Sequence, residues 1–338
     1  MNPKTLPLPR ARQILATAKQ TRALVIGDVM LDHFIWGQVG RISPEAPVPV
    51  VDFDRESFIP GGAANVARNL TALDLPTELF GVVGRDHPAA QLRRLLTEQK
   101  IGCAGLLVQG GRATSVKTRI VAHQQQVVRL DRESRTELDA NSTRRLLGAL
   151  EPVVAGAAAV IVGDYGKGAI TQPLLDEIKQ LCHRHGVWLS LDPKPVHLLN
   201  LKGLSLITPN RKEAFELANL RDETRTVNPL ADRNLMQVVD RLLKELRPVI
   251  LLVTLGELGM LLCRAGQKPF HIPTQAKEVF DVSGAGDTVI ASFTLAIAGG
   301  ASPVEAAIFS NHAAGIVVGK VGTAVATAEE LLASFKGR

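Results

Sequence analysis

Apolar residues recur along this chain in two patterns. Short, nearly unbroken runs occupy 23–32 (ALVIGDVMLD), 77–84 (TELFGVVG), 157–166 (AAAVIVGDYG), 187–193 (VWLSLDP), 204–210 (LSLITPN), 249–256 (VILLVTLG) and 259–266 (GMLLCRAG). Runs of this length and β-branched content predict strands buried on both faces. Between them, apolar residues at helical spacing predict helices over 60–73, 87–100, 142–154, 171–185, 234–246, 286–298 and 303–318. Strands alternating with helices imply an α/β fold: a mostly parallel sheet covered on both faces.

Two segments break this rhythm. Residues 33–53 (HFIWGQVGRISPEAPVPVVDF) hold three prolines and no helical period, and 113–131 alternate in VKTRIVAH. Both predict short strands and turns, a candidate lid on the larger domain. The predicted strand ends carry Asp32, Asp164, Asp192, Asn210 and Thr254. In parallel sheets ligands sit at the carboxyl ends of strands, so five polar tips on one edge imply one crevice.

The length of 338 residues allows one large domain, or one with a small appendage. The net charge of +6 is small and interspersed, which argues against a nucleic-acid binder with its concentrated basic stripe. Cys103, Cys182 and Cys263 are odd in number and far apart, so neither a disulfide framework nor a zinc site is implied. Reducing cytoplasm is the expected compartment. The start, MNPKTLPLPRARQ, has no signal-peptide core, and no apolar run approaches the ~20 residues that span a bilayer.

The sharpest local signal is Asp281-Val282-Ser283-Gly284-Ala285-Gly286-Asp287, followed by the apolar helix TVIASFTLAIA. Glycines let a turn aim backbone N–H groups at an anion, and a helix N-terminus adds partial positive charge. A carboxylate beside such an anion hole suits phosphoryl transfer, which needs positioning, charge stabilisation and a base for the attacking hydroxyl. The amides of 284–287 would hold the migrating group and Asp287 would take the proton. The plainer alternative is a glycine-rich helix start with Asp287 as N-cap. GxxxxGK[ST], HRD, DFG and a GxGxxG after the first strand are all missing, which excludes Walker-type ATPases, protein kinases and dinucleotide-dependent dehydrogenases.

These residues resemble the ribokinase-like (phosphofructokinase B) carbohydrate kinases. Gly61-Gly62-Ala63-Ala64-Asn65-Val66-Ala67 is similar to their first signature, Asp281–Asp287 to their second, and Asn210–Glu213 to their NxxE element. GDVMLD (27–32), RISPEAPVPVV (41–51), HQQ (123–125), RLD (129–131), GDYGKG (163–168), DPK (192–194), 273–289 and AAGIVVGKVGTA (313–324) resemble the kinase half of bifunctional heptose kinase/ADP-heptose synthases. The resemblance implies a Rossmann-like domain with a small β-sheet lid through which members often dimerise. It implies ATP and Mg²⁺ as cofactors, and phosphorylation of D-glycero-β-D-manno-heptose 7-phosphate at the anomeric oxygen. The motif of the nucleotidyltransferase half is not found, so a single kinase domain over 1–338 is expected.

Roles follow by resemblance. Asp32 binds sugar hydroxyls, with a turn-capping Asp as the alternative. Gly61 and Gly62 allow close approach of the helix and Asn65 reads a hydroxyl. Lys117, Arg119, Arg129, Lys167 and Lys194 are candidates for the 7-phosphate, Lys167 first and Arg119 second, against the alternative of solvated surface charge. Asp164 and the lid-side His123, Gln124 and Gln125 complete the sugar pocket. Asn210 and Glu213 orient Mg²⁺ through water, or form a capping box, or both. Thr254, Gly256, Gly259, Asp281, Ser283 and Asn311 are expected at the nucleotide. A kinase for another sugar and a non-catalytic sugar-phosphate sensor remain as alternatives.

Overall fold

A computed structural model describes residues 5–123, 125–224, 226–276 and 278–336, so Gln124 lies outside the described residues. Among them, nine strands form one sheet: β1 (Ala23–Gly27), β4 (Thr77–Val83), β5 (Leu106–Val108), β8 (Ala159–Gly163), β9 (Trp188–Asp192), β10 (Leu206–Ile207), β11 (Ile250–Thr254), β12 (Met260–Cys263) and β13 (Phe270–Ile272). Their order is β13-β12-β11-β10-β9-β8-β1-β4-β5. Pairing is parallel from β11 to β5, while β12 and β13 are antiparallel. A second sheet, ordered β3-β2-β6-β7, is built from β2 (Val29–Ile42), β3 (Pro49–Gly62), β6 (Ser115–Ala122) and β7 (Gln125–Arg132).

The unbroken apolar runs have the expected cause. In β1, Val25 packs into the core on one face of the large sheet, while Leu24 and Ile26 pack into the core on the other. The first core is closed by α1 (Leu8–Ala18), α2 (Ala63–Ala72), α3 (His87–Glu98), α8 (Ala285–Ala298), α9 (Pro303–Val317) and α10 (Ala328–Ser334). The second is closed by α4 (Ala140–Val154), α5 (Gln172–His185), α6 (Arg211–Leu217) and α7 (Arg233–Leu246). Helix α1, which the hydrophobic pattern did not single out, buries Ala11, Ile14, Leu15 and Ala18.

Two expectations need correction. The first lid segment does not fold as short strands: β2 and β3 each run 14 residues. Residues 23–32 are not a single strand: the large-sheet strand ends at Gly27 and the chain enters the small sheet at Val29. The joint is Asp28, 2% exposed, whose carboxylate accepts hydrogen bonds from the amides of Tyr165 (2.8 Å), Lys167 (2.9 Å) and Ala169 (2.8 Å). Val29 and Leu31 stay buried at the root of the small sheet, so the sequence reads as one apolar run across two sheets. Asp32 therefore lies on β2, in register with Lys117 of β6, and not at a tip of the large sheet. The outer part of the small sheet leaves Phe53, Val128 and Leu130 exposed.

Candidate active site

The glycine-rich turn forms the start of α8. Gly284 is its N-cap at φ 80°, a left-handed conformation that favours glycine. A Cβ there would also lie 2.9 Å from Asn65 Nδ2 and 2.8 Å from Thr323 Cγ2. Asp281 ties the turn to a neighbouring loop, accepting from Ser283 N (2.8 Å) and Gly322 N (3.1 Å). Burial works against the Asp281 carboxylate, but these amides and the nearby Arg119 outweigh it and hold its pKa below the usual range. Among the described residues, the N–H groups of Gly284, Gly286 and Asp287 have no protein acceptor. They are the orphan donors of a helix start, collected on one turn.

Asp287 is not the N-cap. It sits three residues inside α8, and its side chain turns to other elements. Oδ2 accepts from Asn65 Nδ2 at 2.7 Å and Oδ1 from the Tyr165 hydroxyl at 2.5 Å. Burial pushes its pKa up to about 6, against the pull of the Asn65 and Tyr165 hydrogen bonds. Asp192, at the end of β9, is pushed up to about 8 by burial and by the negative charges of Glu213 and Asp287, although Thr208 Oγ1 donates to it at 2.9 Å. The crevice thus gathers three carboxylates with too little positive charge to hold them all ionised.

Asn210 and Glu213 form the capping box of α6: Asn210 Oδ1 accepts from Glu213 N at 3.0 Å, and Glu213 Oε2 accepts from Asn210 N at 3.0 Å. Glu213 Oε1 keeps Lys194 Nζ at 3.4 Å, so Lys194 faces this corner. Thr254 bridges to Asn210 at the carboxyl edge of the sheet. Gly256 and Gly259 both have positive φ, and a Cβ on Gly259 would lie 2.6 Å from Thr274 N. Asn311 is 3% exposed and donates to Pro273 O at 2.7 Å, so it is a buried clamp on the loop after β13. Ser283 is exposed on the turn. A cavity of about 970 Å³ opens beside Phe280, between α9, α10 and the loop holding Gln275 and Glu278. Asp287 does not line it.

The small sheet supplies the other wall. Gly61 stands against Asp32, where a Cβ would lie 3.0 Å from the carboxyl carbon. Gly62 caps α2 at φ 59°. Asp32 Oδ1 receives Arg119 NH1 at 2.5 Å, and Arg119 lies over the Phe34 ring. Lys117 pairs with Asp131 at 3.2 Å. Lys167 lies 2.7 Å and Lys117 3.6 Å from Glu133 Oε2, in ion pairs whose alignment makes no hydrogen bond. Arg129 also pairs with Asp131, at 2.9 Å. Asp164 is engaged by Gly166 N (2.9 Å) and His197 Nδ1 (3.0 Å), with burial raising its pKa.

His123 and Gln125 are not brought to this crevice. His123 sits at the β6–β7 turn, 3.3 Å from Val39 O. Val39 lies seven residues along β2 from Asp32, roughly 23 Å at ~3.3 Å per residue.

Three site residues escaped sequence reasoning: Asp28, Tyr165 and Arg68. Tyr165 is the chain's one tyrosine and stands inside GDYGKG, a signal that was available. Arg68 is an arginine three residues after Asn65, flanked by buried Ala67 and Asn69 on α2, where a charge is expected to find partners.

Residues 20–330 match the pfkB family of carbohydrate kinases. The chain belongs to that family. It is a carbohydrate kinase with the ribokinase-like fold. Among curated relatives it is 41% identical over 315 residues to "Bifunctional protein HldE" of Desulfatibacillum aliphaticivorans, covering 93% of this chain and 63% of that one. It is 41% identical over 324 residues to the protein of the same name from Geobacter sulfurreducens, covering 95% and 64%. The chain therefore spans a little under two thirds of these relatives. Arabidopsis thaliana ribokinase, solved with ribose and ATP, shares the fold at a TM-score of 0.74 and 20% identity, over 94% of this chain and 99% of that one. Escherichia coli phosphofructokinase-2, solved with substrates and products, superposes at 0.74 with 19% identity over 93% and 98%. Among the described residues no helix is long and apolar enough to cross a membrane.

Proposed function

We propose that this kinase transfers the terminal phosphoryl group of ATP to the anomeric hydroxyl of D-glycero-β-D-manno-heptose 7-phosphate in the cytoplasm. The 1,7-bisphosphate product would serve ADP-heptose and lipopolysaccharide core synthesis. The observation that carries the phosphoryl-transfer reading is the α8 start: Asp287, pushed up to about 6, beside the unpartnered amides of Gly284 and Gly286. A base with that pKa is largely ionised at neutral pH yet basic enough to take a hydroxyl proton. The amides face where charge grows on the transferred group.

The sugar choice is supported by relatives named HldE at about 40% identity and by the cations around the crevice. Asp32 and Asn65 would bind the sugar hydroxyls. Arg119, Lys117 and Lys167 would receive the 7-phosphate as their present carboxylate partners yield to it. Thr254, Gly256, Gly259 and the loop that Asn311 clamps would frame the nucleotide, and the 970 Å³ cavity beside Phe280 and Gln275 offers room for its base. Mg²⁺ fits the carboxylate-rich corner of Asp192 and Glu213, where burial and then the neighbouring negative charges raise Asp192 to about 8, a strain that a cation would relieve. Glu213 would reach it through water, its own oxygens being engaged by Asn210 N and Lys194. When bound, Mg²⁺ would neutralise phosphate charge. The exposed Phe53, Val128 and Leu130 suit a homodimer formed through the small sheet as a lid.

A second reading has its own observation. Lys117 and Lys167 are already paired with Glu133, an arrangement that would also suit an unphosphorylated sugar. An ADP-release assay across heptose 7-phosphate, ribose, fructose and fructose 6-phosphate separates the two. Heptose 7-phosphate is expected to give the highest kcat/KM, and preference for a neutral sugar would overturn the heptose-phosphate reading.

A further inference from the structure

Asn65 is fully buried, and the two ends of its carboxamide face opposite kinds of partner. Nδ2 donates to Asp287 Oδ2 at 2.7 Å, while Oδ1 accepts from Arg68 NH1 at 3.0 Å. A guanidinium only donates and an ionised carboxylate only accepts, so a carboxamide between them has one satisfying orientation. Reversed, it would set oxygen against oxygen and NH₂ against guanidinium, around a fully buried carboxamide.

Arg68 is itself fixed. Its Nε donates to Gln99 Oε1 at 3.0 Å, and NH1 also reaches Thr323 O at 3.2 Å. Thr323 follows Gly322, whose amide holds Asp281, and its methyl packs where a Cβ on Gly284 would go. One half-buried guanidinium thus joins the partner of Asp287 to the loop that braces the anion-holding turn. Burial works to lower the Arg68 pKa, and the attractions of Asp32 and Asp287 oppose this. A guanidinium remains charged at any working pH.

We propose that Arg68 is a positioning residue for the kinase reaction: it fixes the Asn65 carboxamide with Nδ2 towards Asp287 and supplies the one nearby charge from α2 that favours the ionised base. The proposal rests on the reading of Asp287 as base. Among the described residues, the other titratable groups facing Asp287 are Tyr165 from the loop after β8, which donates to it, Asp32 from β2, and Asp192 from β9. Asp32 and Asp192 are acidic, so neither can replace the attraction that Arg68 provides.

The test is a titration of the Asp287 carboxyl by carbon NMR in full-length protein labelled at aspartate, the signal being assigned by its loss in Asp287→Asn. Arg68→Met is expected to raise the midpoint by about one pH unit, the low end for loss of a nearby opposite charge. Arg68→Lys, which keeps the charge but not the fork, should return it most of the way. The acid limb of kcat/KM, measured with ATP and heptose 7-phosphate, should move with it. A folded Arg68→Met protein with an unshifted midpoint would overturn the proposal. Should Arg68→Met fail to fold, Arg68→Gln decides, since it can still donate to Asn65 but carries no charge: it too must shift the midpoint upward. Full turnover in Asp287→Asn would instead remove the base reading, while the NMR midpoint would still report on the link between Arg68 and Asp287.

Discussion

The crevice at the edge of the large sheet and the wall that the small sheet gives it treat their carboxylates in opposite ways. At the large sheet, Asp192 and Asp287 are half-buried with hydroxyl and amide partners and no direct cation, and desolvation lifts their pKa values to about 8 and about 6. On and beside the small sheet, every carboxylate already named has a cation: Asp32 has Arg119, Asp131 has Lys117 and Arg129, and Glu133 has Lys167, Lys117 and Arg135. Burial disfavours Asp131 and Glu133 too, yet their pKa values fall because those cations outweigh it. The first wall holds little positive charge, Lys194 on Glu213 and Arg68 behind Asn65, and the other pairs each of these carboxylates with a cation. That polarity would suit the proposed metal-bound nucleotide on one side and sugar phosphate on the other.

The comparison breaks most severely at Asp287. Asp287→Asn keeps the shape of the side chain, with the Tyr165 hydroxyl free to turn from donor to acceptor, but cannot take a proton. It is expected to lower kcat by at least ~10²-fold, the usual scale for a positioned base, with KM for ATP little changed. Single-turnover phosphoryl transfer measures this, and turnover within tenfold of wild type would remove Asp287 from the chemistry.

The acid limb sharpens the same assignment. The active form is the carboxylate, so kcat/KM should fall as pH drops through about 6. An ordinary exposed Asp would put this limb about two units lower. A pH–rate profile flat down to pH 5 would mean that the carboxylate is not held as the structure places it.

On the opposite wall, Arg119→Met removes a cation from Asp32. A charge-assisted hydrogen bond is worth about 1.5–3 kcal/mol, or roughly 10- to 100-fold. KM for a phosphorylated sugar is therefore expected to rise by at least tenfold while KM for ATP stays put. An equal rise in both would mean that Arg119 holds the fold together and does not read the substrate.

Much of this was legible in the chain. Runs such as 249–256 and 157–166 became β11 and β8, with bounds off by one to three residues. The turn at Asp281–Asp287 was legible because glycine is needed at Gly284 and an acid beside orphan amides needs a reason. What stayed hidden was contact between distant segments. Asp28 and Asp32 sit four apart in one apolar run, and only the change of sheet at Asp28 gives them different tasks. Arg68 and Tyr165 act on Asp287 from 219 and 122 residues away in the chain, the first through Asn65 at three residues and 222. His123 read as a pocket residue because its neighbours in sequence resemble one, yet the length of β2 carries it to the far end of the sheet.

The gentlest test concerns Asp192, and its sign is opposite to that of the usual surface carboxylate. Its folded pKa, about 8, lies above its unfolded value, near 3.9. Between those values the folded protein holds a proton that the unfolded chain has released. Stability without ligands should therefore decline as pH rises from about 4 towards 8 and level off above it, with at most ~1.4 kcal/mol per pH unit from this group. Asp192→Asn removes the titration, so its melting temperature should be less sensitive to pH and higher than wild type near pH 8, by a few degrees for a chain of this size. Adding Mg²⁺ with ATP should narrow the gap, because a cation lets the wild-type carboxylate ionise without penalty. Parallel melting curves for the two proteins across this range would show that Asp192 finds enough positive charge in the protein already, and the contrast between the two walls would then rest on Asp287 alone.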